Sequence, residues 1–114
     1  MPKRKSQLYI EDIVTALRHI RAYTKGRSFV TFAGDQKTID AVMRNLEIIG
    51  EAARFISSEI IENHPEIPWR NMADLRNKVS HEYFGIDLEI IWQTIEDDLP
   101  LLTKQINRLK KLEI

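Results

Sequence analysis

Cysteine is absent from this chain of 114 residues. That excludes disulfides, thiolate chemistry and cysteine-based zinc sites, and it fits a reducing cytoplasm. Neither sign of charge is in excess: 17 Lys+Arg stand against 17 Asp+Glu, a formal net charge of +0. No global basic field steers the chain toward nucleic acid, so any RNA contact must come from local patches. No apolar run approaches the roughly 18 residues of a membrane span. The basic start, Met1-Pro2-Lys3-Arg4-Lys5, leads into no signal-peptide core. The expectation is a cytoplasmic protein with no membrane segment. Glycine and proline number only four each and read as punctuation.

What is present is helical periodicity. Hydrophobic residues at 43% and charged ones at 30% suit one globular domain, 1–114, with a modest core to which a dimer interface would add burial. Ile13, Leu17 and Ile20 form the buried stripe of a first helix over Leu8–Thr24, capped by Ser6 or Gln7 and ended at Gly26. Phe29, Val30 and Phe32 suggest a short helical turn on the core. Asp35 is a good N-cap for a long helix to about Asn63. Its stripe is Ile39, Val42, Met43, Leu46, Ile49, Ala53, Ile56 and Ile60. A second stripe, Ala41, Ile48 and Phe55, predicts packing on both sides. Gly50 inside this helix costs about 1 kcal/mol relative to alanine, which a close helix approach would explain. His64-Pro65-Glu66-Ile67-Pro68 is a rigid loop anchored by Trp69. A third helix covers Asn71–Phe84, stopped by Gly85. Asp87 caps a fourth, with Ile91, Ile95, Leu99, Leu102, Ile106 and Leu109 buried and a kink expected at Pro100. The expected fold is all-α, an up-and-down bundle of four main helices with a short extra helical segment, dimerising.

The stretch from Arg76 to Tyr83, Arg-Asn-Lys-Val-Ser-His-Glu-Tyr, carries the chemistry. At about 100° per residue, Arg76, Ser80 and Tyr83 lie nearly on one line, with Asn77 and His81 on a neighbouring one. Leu75 and Val79 turn toward the bundle. RNA carries its own nucleophile, the 2′-hydroxyl, so cleavage needs a proton-transfer group and a cation for the phosphorane. Histidine titrates nearest neutrality, and arginine offers a fork suited to phosphate oxygens. Asn77 can orient His81 or bind phosphate. One Arg and one His are few for an acid–base pair. A two-fold axis beside this helix would bring a second copy of each. Taken alone, such a group on a helix face is commonplace, and Tyr83 can equally pack at the helix end.

At these residues the chain resembles HEPN-domain proteins, specifically the HepT-like ribonuclease toxins. Arg76-x4-His81-x-Tyr83 matches their Arg-x4-His-x-Tyr signature, and Asn77 matches the polar residue after the arginine. Asp74-Leu75 before the motif, Tyr83-Phe84-Gly85-Ile86-Asp87 at its end, Trp92, and Ile48-Ile49-Gly50-Glu51-Ala52 upstream extend the likeness over about Leu8–Leu109. The resemblance implies a dimerising helical bundle whose two motif helices line a shared cleft. It implies a metal-independent endoribonuclease without cofactor, the toxin of a type VII toxin–antitoxin pair, with Arg76 and His81 catalytic. The implied partner is a minimal nucleotidyltransferase antitoxin that transfers AMP from ATP to Tyr83. A non-catalytic HEPN-like module binding such a partner, or a nucleotide, is the alternative.

Three further features have simpler readings. His19, His64 and His81 match no metal-ligand spacing. Glu47 and Glu51, at i and i+4, suit salt bridges to Arg44 or Arg54; if Glu51 faces the motif helix, it would pair with Arg76 and support it. The basic segment Lys104–Lys111 reads as a solvated face rather than an RNA arm, but the basic termini, Lys3-Arg4-Lys5 and Arg108 to Lys111, could supply phosphate contacts if they flank the cleft.

Overall fold

The structure, a computed structural model, describes residues 4–82 and 87–114, with the backbone alone at 78 and 80–82. Among the described residues all regular structure is helical. Helix α1 spans Ser6–Thr24, α2 Phe29–Ala33, α3 Gln36–Ala53, α4 Ser58–Asn63, α5 Trp69–Glu82, α6 Leu88–Gln93 and α7 Leu99–Glu113. Helix α3 is the centre of the packing. It lies against α1 on one side and α5 on the other, and α7 packs on α1. Among the described residues no helix is long and apolar enough to cross a membrane.

The apolar stripes form one core. Ile10, Ile13 and Ile20 of α1 meet Val42, Leu46 and Ile49 of α3, all at most 1% exposed. Ile106 and Leu109 of α7 are as deeply buried. Phe32, fully buried, projects from α2 and packs its ring 5.0 Å from that of Trp92. Helix α2 is held at its start by a capping box between Ser28 and Thr31. Gly26, at φ 75, makes the turn that ends α1.

Four boundaries differ from expectation. The long helix to Asn63 is interrupted after Ala53, and Ser57 caps the separate α4 by accepting from the Ile60 N–H. Ile56 and Ile60 stay buried across the break, so the hydrophobic period alone could not reveal it. Ser6 does not cap α1; its Oγ accepts from the Ser57 N–H at 3.0 Å, which ties the break to the start of α1. The fourth helix meets Pro100 with a π-helical turn over Thr94–Asp98, in which the Leu99 N–H reaches the Thr94 carbonyl. The proline ring would crowd the carbonyl four residues back, at Glu96, and the wider turn accommodates it. Helix α5 begins at Trp69, two residues earlier than expected, with the indole N–H donating to the His64 carbonyl. The expected stop at Gly85 lies outside the described residues.

Asp35 caps α3 by accepting from the Thr38 hydroxyl and backbone N–H, and it pairs with Arg27 at 3.0 Å. These hydrogen bonds, led by that of the Thr38 hydroxyl, hold its carboxyl below the usual range. A lowered folded pKa stabilises the protein above the ordinary aspartate range and is lost as pH falls through it. Below about pH 4 the wild type should therefore lose more thermal stability than Asp35→Asn. Parallel melting curves against pH would contradict this.

Candidate functional site

The site begins at Gly50. A Cβ there would lie 2.6 Å from the Arg76 backbone nitrogen, 2.9 Å from the Arg76 Cβ and 3.1 Å from the Met72 carbonyl oxygen. Only glycine lets α5 approach α3 so closely, which answers why a poor helix former stands mid-helix. The approach places Arg76 at the α3–α5 seam. Its Nε lies 2.8 Å from Oε2 of Glu51, the residue after that glycine. Both side chains are roughly half exposed, 44% and 47%, so the ion pair adds little stability and serves mainly to direct the guanidinium. The expected i+4 partner Glu47 takes the bland alternative, pairing with Arg44 at 3.2 Å.

A groove of about 380 Å³ opens over this part of α3, lined by Tyr9, Asp12, Arg44, Glu47, Glu51 and Arg76 among others. Its far rim comes from the start of the chain. Arg4 pairs with Asp12 and lies 4.6 Å above the Tyr9 ring. The hydrogen bond it donates to the Asp12 carboxylate is the main reason the Arg4 guanidinium holds its proton more tightly than usual. Tyr9 stacks on Phe55 at 5.4 Å, and Phe55 remains 54% exposed in the break between α3 and α4. Arginine and carboxylate thus alternate along the groove.

The remaining motif residues distribute as follows. Asn77 is exposed beside Arg76, and Val79 is buried at 4%. Position 81 follows on α5 about 7.5 Å along the axis from Arg76. The side chains of Ser80 and His81, and Tyr83 altogether, lie outside the described residues. Tyr9 and Asp12 were missed by sequence reasoning, since nothing in their spacing links them to residues 51 and 76, whereas Arg4 belongs to the basic terminus expected to contact phosphate if it flanks the cleft. His19 and His64 occupy separate contacts. His19 stacks on Tyr23 and faces Asn45, whereas His64 lies 2.9 Å from Glu113. Among the described residues no group of three potential metal ligands comes together.

A helical fold in which Arg76 and position 81 share a helix pressed against its neighbour, in a chain that reads Arg-x4-His-x-Tyr there, is that of the HEPN class. Residues 13–109 match the family model described as ribonuclease HepT-like, and the chain belongs to that family. It is 44% identical over 109 residues to a "Probable ribonuclease HepT" of Thermococcus cleftensis, covering 96% of this chain and 99% of that one. A protein of Methanocaldococcus jannaschii, provisionally named an RNase, is 39% identical over 111 residues, covering 97% and 92%. A similarly named protein of Caldanaerobacter subterraneus is 39% identical over 105 residues, covering 92% and 94%. No solved structure matches at a significant level.

Proposed function

We propose that the chain is a metal-independent endoribonuclease, the toxin of a type VII toxin–antitoxin pair acting in the cytoplasm. The observation that carries this reading is the Arg76–Glu51 pair, fixed at an open groove in a chain of the HepT-like family. In the reaction the 2′-hydroxyl oxygen attacks phosphorus and the bond to the 5′-oxygen breaks. The products are a 2′,3′-cyclic phosphate and a 5′-hydroxyl. His81 moves the proton, taking it from the 2′-hydroxyl or giving it to the leaving oxygen. Arg76 faces the charge that develops on the phosphorane oxygens. Glu51 engages the Nε side of the guanidinium, so the terminal nitrogens are the ones turned to phosphate. Asn77 orients His81, and Ser80 adds a hydroxyl on the Arg76 line.

The whole chain, 1–114, acts as a single bundle of four main helices that pairs as a homodimer. Two motif helices then line one cleft and supply two copies of Arg76 and His81. The half-exposed Phe55 beside the groove is apolar surface that such pairing would cover. A minimal nucleotidyltransferase antitoxin silences the toxin by transferring AMP from ATP to Tyr83. The tyrosyl oxygen attacks the α-phosphorus and pyrophosphate leaves. The anionic adduct then competes with RNA phosphate for Arg76.

End-group analysis of cleaved RNA tests the chemistry. Cyclic phosphate and 5′-hydroxyl ends are expected; 5′-phosphate ends would exclude 2′-hydroxyl attack. Glu51→Gln is expected to lower the cleavage rate about five- to tenfold while changing stability by less than about 1 kcal/mol. Glu51→Asp should restore part of the rate. A rate unaffected by Glu51→Gln would remove Glu51 from the site.

A further inference from the structure

The chain is neutral but polarised. From Ile13 to Gly34 it has Arg18, Arg21, Lys25 and Arg27 and no acid. From Leu99 to Leu112 it has Lys104, Arg108, Lys110 and Lys111 and again no acid. The other nine cations share the rest of the chain with all 17 acids.

The fold joins the two acid-free stretches. Helices α1 and α7 pack antiparallel. Gln7 Nε2 donates to the Glu113 carbonyl at one end, and Leu17, Ile20 and Thr24 face Leu99 and Thr103 at the other. Arg18, Arg21 and Lys25 are spaced three and four residues apart, a single stripe. Arg21 and Lys25 line a groove of about 300 Å³ whose floor includes Ile20, Ile95 and Leu99. Lys110 stands seven residues beyond the groove residue Thr103, on the same flank of α7, and Lys104 is exposed beside it. Among the described residues none of these five cations has a carboxylate within ion-pair distance, unlike Arg4, Arg44 and Arg76 in the other groove. Arg27 is committed to Asp35, and Glu96 is the acid in the groove wall.

We infer that the α1–α7 seam binds the phosphate backbone of single-stranded RNA, at a place separate from the Arg76 groove. The two grooves lie on opposite flanks of α1, one bounded by Tyr9 and Asp12 and the other by Arg21 and Lys25. A row of uncommitted cations beside an apolar floor matches the two parts of a nucleotide, phosphate and base. Attraction to a polyanion also resolves how a neutral chain holds RNA, because the field of one face is not the field of the whole. The seam extends the ribonuclease reading and rests on it: a second hold on the substrate keeps it while the Arg76 groove engages one linkage.

The test is fluorescence anisotropy of a labelled single-stranded RNA across a salt series, using the full chain in the His81→Ala background so that the RNA survives. Arg21→Glu/Lys25→Glu should weaken binding at least about tenfold and reduce the slope of log K against log[salt] by about 1.4, two phosphates at about 0.7 each. Arg21→Gln/Lys25→Gln should give the same slope change with a smaller loss, which guards against misfolding in the reversal variant. Lys37→Glu, an exposed control on α3, should leave the slope unchanged. An unchanged slope in both seam variants, or an equal change in Lys37→Glu, would overturn the inference. So would displacement of the RNA by polyglutamate at equal charge concentration. Cleavage by the wild type with unaltered binding by the seam variants refutes the seam alone. Binding that depends on the seam in a wild type that never cleaves refutes the ribonuclease reading alone.

Discussion

Gly50→Val is expected to lower stability by about 3 kcal/mol or more and to abolish activity with it. A Cβ at this position meets the Arg76 backbone nitrogen at 2.6 Å, and backbone cannot swing aside as a side chain can. Overpacking of this kind costs about 1–3 kcal/mol, occasionally more. Alanine regains about 1 kcal/mol of helix propensity, so Gly50→Ala should lose at most about 2 kcal/mol net. Valine regains less and adds two methyl groups to the clash. Since about 1 kcal/mol shifts the melting temperature of a domain this size by several degrees, circular dichroism resolves both. The atom displaced belongs to Arg76, so Gly50→Ala should lose more activity than its stability loss alone would produce. A Gly50→Val protein that melts with the wild type would show that α5 is not held as described.

Arg76→Ala and His81→Ala are each expected to reduce RNA cleavage by about two to four orders of magnitude, the range for removal of a proton-transfer group or a charge-stabilising donor. Arg76→Ala should not change stability by more than about 1 kcal/mol, because its ion pair is half exposed. Arg76→Lys discriminates between charge and shape. Lysine keeps the cation but loses the planar fork, so its single nitrogen cannot offer phosphate a bidentate face while holding Glu51. Its rate should stay at least about tenfold below wild type. Full activity in Arg76→Lys would reduce the residue to a generic positive charge.

Much of the core could be read in the sequence because helical periodicity reports burial directly. Ile39, Val42, Met43, Leu46 and Ile49 are all buried as the stripe requires, and so are Ile91, Ile95, Leu99, Leu102, Ile106 and Leu109. Boundaries were harder. The break after Ala53 leaves the period intact, and its local signal, the cap at Ser57, lay inside an otherwise apolar repeat. The π-turn before Pro100 followed from the proline in kind though not in form. At the site, Gly50 and Glu51 could be singled out by their chemistry, but which arginine Glu51 meets depends on how α5 lies across α3. Arg4, Tyr9 and Asp12 join the groove through tertiary packing alone. Net charge was the least informative quantity, because opposite charges cancel in a sum while remaining apart on the surface.

Cleavage of RNA in EDTA by the wild type beside His81→Ala is the most direct test of the central claim. The account predicts undiminished wild-type cleavage without divalent metal and a loss of at least about a hundredfold in the variant. Equal cleavage by the two proteins, or wild-type cleavage that appears only when magnesium is restored, would contradict it.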